Sequence, residues 1–129
     1  MALYTSIEGL EIELLKLSYV QIEVNGEPLR VRVAVYNDDK SKKTLVMTHG
    51  YEYSSALMAR ILPGLAKNYR IVMFDNLGWG LNSRTDNVGD ALDSAESAER
   101  WIASWWDQLI EKLDVPAKFL LAGHSYGAA

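Results

Sequence analysis

Cysteine is absent from all 129 residues, which excludes disulfides and thiolate metal sites while leaving the cellular compartment open. No apolar run approaches the roughly 18 residues of a membrane-spanning helix, so no transmembrane segment is expected. Excess positive charge is lacking too: 13 Lys and Arg stand against 17 Asp and Glu, a net charge of −4. That balance gives no electrostatic drive toward nucleic acid or an anionic membrane. The first 29 residues hold no Arg, and five Glu against one Lys. This fits neither a secretory signal nor an Arg-rich transit peptide, so a cytoplasmic location is the default expectation. Histidine is scarce, with His49 and His124 alone. Internal repeats and low-complexity tracts are missing. What remains is ordinary globular composition, 49% apolar and 23% charged, in a length suited to one domain.

Two period-2 runs come first among what is present. Val20, Ile22 and Val24 share one face of the first, and Leu29, Val31, Val33 and Val35 one face of the second. Asn25-Gly26 between them tolerates the positive φ of a tight turn, which predicts an antiparallel hairpin over Leu17–Tyr36 with one buried face. The N-terminal residues 1–16 are read as containing a short helix. From Thr44 the pattern changes. Leu45-Val46-Met47, Ile71-Val72-Met73-Phe74 and Phe119-Leu120-Leu121 are continuous apolar runs, as expected of parallel strands covered on both faces. A helix over Ser54–Lys67, interrupted at Pro63-Gly64, connects the first two. A second helix, Ser94–Leu113, connects the last two, with Asp93 as N-cap, Glu96 completing a capping box, and Pro116 beyond its end. Its stripe of Ala98, Trp101, Ile102, Trp105, Leu109 and Leu113 is read as a sheet-packing face. The order β-β-β-α-β-α-β is that of an α/β sheet with an antiparallel edge.

Gly123-His124-Ser125-Tyr126-Gly127 matches G-x-S-x-G directly after the third apolar run. A nucleophile elbow belongs at that place: a sharp strand-to-helix turn that strains the serine and exposes its oxygen above the sheet. Gly123 and Gly127 leave room for close backbone approach. The N–H groups opening the following helix would face a developing oxyanion. The plainer alternative is a Gly-rich turn with an incidental serine, and the strand context favours the elbow. Thr48-His49-Gly50-Tyr51 follows the first parallel strand. An oxyanion hole takes one N–H from the residue after the nucleophile, here Tyr126, and one from this loop, for which Tyr51 is the candidate. His49 is read as shaping that loop, with a catalytic base as the alternative. No cofactor-binding or metal-ligating pattern is present.

With these elements the stretch from about Leu17 to Ala129 resembles the α/β-hydrolase superfamily. The resemblance rests on the His49-Gly50 loop, the elbow, and Asp75-Asn76-Leu77-Gly78-Trp79-Gly80-Leu81-Asn82-Ser83-Arg84. That last run is similar to the family's D-x-x-G-x-G-x-S segment, with Asn82 where Ser is usual. The resemblance implies that Asp75 and the two glycines shape the loop beside the site. With Arg84 and the Trp-bearing helix, it points toward the lipid-handling branch of lipases and a lipase co-activator. It also implies a strand order 1-2-4-3-5-6-7-8, in which the Phe119 strand is the fifth. The serine at position 125 disfavours the family's epoxide hydrolases and dehalogenases, which use Asp there.

Residues 1–129 are therefore read as a partial α/β-hydrolase domain ending just after the nucleophile elbow. The family triad runs Ser, then Asp or Glu, then His, yet the four residues after Ser125 contain neither. The expected function is a serine hydrolase acting on an ester, thioester or amide of a lipid or other acyl compound. It would proceed through an acyl-enzyme on Ser125, with acid and base beyond Ala129. The alternative is a non-catalytic half-fold whose open sheet edge is completed by a partner chain.

Overall fold

Asn25 and Gly26 both take positive φ, 48° and 79°, and close the hairpin as their residue types require. A computed structural model describes residues 2–50 and 54–128, with the backbone alone at positions 2, 3 and 126. Strands β1 (Leu15–Val24) and β2 (Glu27–Tyr36) pair antiparallel, with Val20 opposite Val31 and Ile22 opposite Leu29. Strands β3 (Lys43–Thr48), β4 (Tyr69–Phe74) and β5 (Leu120–Gly123) are the three apolar runs. β3 is parallel to both β4 and β5, with Val46 level with Val72 and with Leu121. β4 lies antiparallel against β2, so the sheet order is β1-β2-β4-β3-β5. This is the order implied for the first five strands by the resemblance.

The hairpin departs from its expected single buried face. Val31 and Val33 enter a core with Val46, Val72, Phe74, Trp105 and Leu109 on one side. Ala34 and Tyr36 enter a second core on the other, with Met47, Ile71, Met73, Ala59 and Leu62. β2 is thus buried on both faces through its second half, because the segment carrying Trp105 and Leu109 covers one face and Tyr4, Ala59 and Leu62 cover the other. The sequence alternation marked only the first of these cores.

The N-terminal segment holds the expected short helix, α1 (Ala2–Thr5), and a 3₁₀ turn over Ile12–Leu14. Helices differ from expectation in two places. The first crossover is a 3₁₀ segment, Ser55–Ile61, which becomes α-helical only at α2 (Leu62–Leu65). Pro63 sits in the first turn of α2, where a missing N–H costs nothing because no acceptor faces it. The change of helix type, rather than a break at Pro63-Gly64, is the irregularity. The second crossover, α3 (Ala95–Lys112), is capped by Ser94, whose Oγ accepts from the Ser97 N–H at 3.1 Å. Asp93 is not the cap, and Glu96 completes no capping box. Trp105 and Leu109 of α3 are buried, and Phe74 meets Trp106 edge-on at 5.1 Å. Its apolar stripe is the sheet-packing face read from its spacing.

Candidate functional site

Three elements converge at the C-terminal ends of β3, β4 and β5. β5 ends at Gly123, the His124 N–H donates to the Thr48 carbonyl at 3.2 Å, and a 3₁₀ turn runs over Ser125–Ala128. Ser125 has φ +55°. The other described non-glycine residues with positive φ are Asn25 and Asn37, a type that tolerates the left-handed region. Ser125 lacks that tolerance, and the conformation costs roughly 1–2 kcal/mol for an ordinary side chain. The turn is closed by the Gly127 N–H donating to the His124 carbonyl at 3.0 Å.

Glycine is required here for close approach. A Cβ on Gly123 would lie 2.7 Å from the Ala128 Cα, and one on Gly127 would lie 2.5 Å from the His49 carbonyl oxygen. A Cβ on Gly50 would sit 3.2 Å from the Ser125 Cβ and 3.0 Å from the His124 Nδ1. The His49-Gly50 loop therefore abuts the Ser125 turn directly. Thr48 adds a hydroxyl bond to the Gly127 carbonyl.

His49 is fully buried. Its Nε2 accepts the Asn76 N–H at 2.7 Å, which requires the proton on Nδ1, and Nδ1 contacts the Gly50 carbonyl at 2.7 Å. Both ring nitrogens are engaged in holding the loop, so His49 shapes the loop and is unavailable as a base. Tyr51 lies outside the described residues. The Tyr126 backbone belongs to the 3₁₀ turn after Ser125.

Asp75, also fully buried, organises the third element. Its Oδ1 accepts from the Ser55 N–H at 2.8 Å and the Ser55 Oγ at 2.7 Å. Its Oδ2 accepts from the Leu81 N–H at 3.0 Å and faces Arg32 Nη1 at 4.0 Å. Gly80 is required beside it, since a Cβ there would meet the carboxylate. Asn82, the departure from the family's Ser, accepts the Arg32 N–H at 2.7 Å and donates to the Asp75 and Asn76 carbonyls. A serine has one donor hydrogen and makes fewer of these bonds. Arg84 donates to the Gly78 and Gly80 carbonyls and braces the glycine turn from outside. The contributions of Arg32 and Ser55 were invisible in sequence, because both partners are distant along the chain and no local pattern marks them. Beside the Ser125 turn, an open recess of about 490 Å³ lies between α3 and β5, lined by Trp105, Trp106, Ile102 and Leu121. Leu120 and Leu121 are exposed on the β5 edge. Among the described residues no cluster of His, Cys, Asp or Glu could hold a metal, and no helix is long and apolar enough to cross a membrane.

Sheet order, loop and strand-end turn together define an α/β-hydrolase arrangement. The family model described as "Alpha/beta hydrolase family" matches residues 45–129, and the chain belongs to that family. Over 133 aligned residues it is 29% identical to the 1-acylglycerol-3-phosphate O-acyltransferase of Arabidopsis thaliana, covering 90% of this chain and 31% of that protein. The Cif epoxide hydrolase of Acinetobacter nosocomialis superposes with a TM-score of 0.67 at 15% identity, over 98% of this chain and 37% of its own. The thioesterase domain from the curacin biosynthetic pathway superposes at 0.63 with 23% identity, over 88% and 37%. The chain thus spans about a third of the length of these relatives. The family therefore includes both acyltransferase and hydrolase relatives of this chain, and the two superpositions show the shared fold.

Proposed function

We propose that the protein transfers acyl groups through Ser125. The Ser125 oxygen attacks the carbonyl carbon of an ester, thioester or amide, and its proton passes to a general base. The oxyanion is received by the Tyr126 and Tyr51 N–H groups. Collapse expels the alcohol, thiol or amine, which takes up the proton, and leaves an acyl-serine. Water, or the hydroxyl of an acceptor, then attacks the acyl-serine and regenerates Ser125. The base and its acid partner are assigned, by the family's chain order of Ser, then acid, then His, to residues following Ser125 and outside these 129; His49 is committed to Asn76 and Gly50. The carrying observation is the positive φ of Ser125 at the end of β5, against the His49-Gly50 loop. Strain of that kind in a serine, held by glycines that admit no Cβ, supports a function for the conformation.

The substrate class is proposed as a lipid or other acyl compound, because a relative matching 90% of this chain is an acyltransferase of a glycerolipid. Hydrolysis and transfer differ only in what attacks the acyl-serine. The test is turnover of an acyl ester by the full-length protein, with free acid and acylated 1-acylglycerol-3-phosphate both quantified. Ser125→Ala should lower both products by about 10⁴-fold or more, the usual effect of removing a serine nucleophile. Turnover that survives Ser125→Ala would overturn the reading.

A further inference from the structure

Thr48 ends the apolar run of β3 with a hydroxyl and is buried, at 3% exposure. Val46, on the same strand face two residues earlier, packs in a core with Phe74 and Trp105. Valine would suit position 48 on such a face as well as threonine does, so packing alone does not account for the hydroxyl. Two bonds to the Ser125 turn do. The Thr48 carbonyl accepts the His124 N–H at 3.2 Å, and the Thr48 Oγ1 donates to the Gly127 carbonyl. Residues 124 and 127 flank the turn, so a single residue of β3 grips it at both ends. Gly127 also donates its own N–H to the His124 carbonyl at 3.0 Å. The approach is close: a Cβ on Gly127 would lie 2.5 Å from the Thr48 Oγ1. Between the two grips lie Ser125, at φ +55°, and the Tyr126 peptide.

We propose that Thr48 is a positioning residue for Ser125: its hydroxyl tethers the Gly127 carbonyl and keeps the turn from relaxing out of the left-handed conformation. The inference rests on the acyl-transfer role proposed for Ser125. A residue with a Cβ disfavours that conformation by an amount comparable to one net hydrogen bond, so one tether decides whether it is held. Without the hydroxyl the far end of the turn is untied, while the His124 N–H keeps its bond to β3. Rotation about the Ser125 φ then shifts the serine oxygen and the Tyr126 N–H against a bound carbonyl. A misplacement on the order of 1 Å slows a reaction by about 10²-fold, and it does so without loosening the groups that bind the rest of a substrate.

The test uses the full-length protein and residue-resolved amide hydrogen exchange, with kcat and KM on an acyl ester. Thr48→Val removes the hydroxyl at nearly constant volume. It should speed exchange at the Gly127 amide by about fivefold, the weight of one typical hydrogen bond. It should also lower kcat by roughly tenfold, part of the cost of a full misplacement, with KM nearly unchanged. Thr48→Ser keeps the hydroxyl and should restore both quantities. Thr44→Val is the matched control. It removes the other buried hydroxyl of β3, at the opposite end of the strand, where it accepts from Arg70 Nη1 at 3.5 Å, and should change neither. If Thr48→Val fails to fold, Thr48→Ala and Thr48→Ser differ by the hydroxyl alone and carry the same comparison. Equal exchange in Thr48→Val and Thr44→Val, or no restoration by Thr48→Ser, overturns the proposal. Faster exchange with kcat unchanged overturns the positioning role, whereas turnover that survives Ser125→Ala overturns the functional reading itself.

Discussion

Ser125 sits where local preference and tertiary demand conflict. Its φ of +55° is disfavoured for any residue with a Cβ, and the neighbouring glycines leave the turn no room to relax. Replacing the serine should separate the two demands. Ser125→Gly should be more stable than Ser125→Ala by about 1 kcal/mol, because only glycine enters this region without penalty. Urea denaturation of the two variants measures the difference, and equal midpoints would mean that the turn is not strained. The position of Ser125 at a strand end was legible in sequence, since an apolar run leads straight into G-x-S-x-G. The settlement of His49 was not. Its residue type fits either a base or a brace, and only the Asn76 N–H on its Nε2 decides between them.

Elements followed the sequence where one local pattern sufficed, and departed from it where a distant group intervened. Continuous apolar runs gave β3, β4 and β5, and the 3.6-residue stripe gave α3. The first crossover misled because Ser55 is fixed by Asp75, 20 residues away, rather than by a local cap; Ser54 makes no side-chain capping bond. The start of α3 turned on a single position. Ser94→Ala should cost about 1 kcal/mol of stability and Asp93→Ala far less, as thermal denaturation can show. Strand ends are also tied electrostatically. Asp38 receives Arg70 Nε at 2.6 Å and Lys16 Nζ at 3.0 Å. The Arg70 bond foremost, with that of Lys16, lowers its carboxyl from 3.8 to about 2. A depressed folded value means that this stabilisation is full above about pH 4 and is lost as pH falls toward 2. Asp38→Asn should flatten that part of the acid-denaturation curve, and an unchanged curve would show that the contacts contribute nothing.

Taken together, the sheet brings three loops to one end. One follows β3 and is held by His49, one follows β4 and is held by Asp75, and one follows β5 and carries Ser125. The apolar runs by themselves marked strands and not their neighbours; strand order was legible only through the family resemblance carried by the elbow and the His49-Gly50 loop, which implied β1-β2-β4-β3-β5. The second core beneath α1 was not, since Tyr4, Arg32 and Asp75 are far apart in the chain and share no periodicity. An acyl-transfer enzyme needs a reactive serine at this end of the sheet, whereas a purely structural role for these loops does not. Fluorophosphonate labelling of the full-length protein separates these possibilities most directly, because the probe forms a covalent bond only with an activated serine. Labelling at Ser125, identified by peptide mass and lost in Ser125→Ala, is the predicted result. A protein that stays unlabelled, or that labels equally in the Ser125→Ala variant, would contradict it.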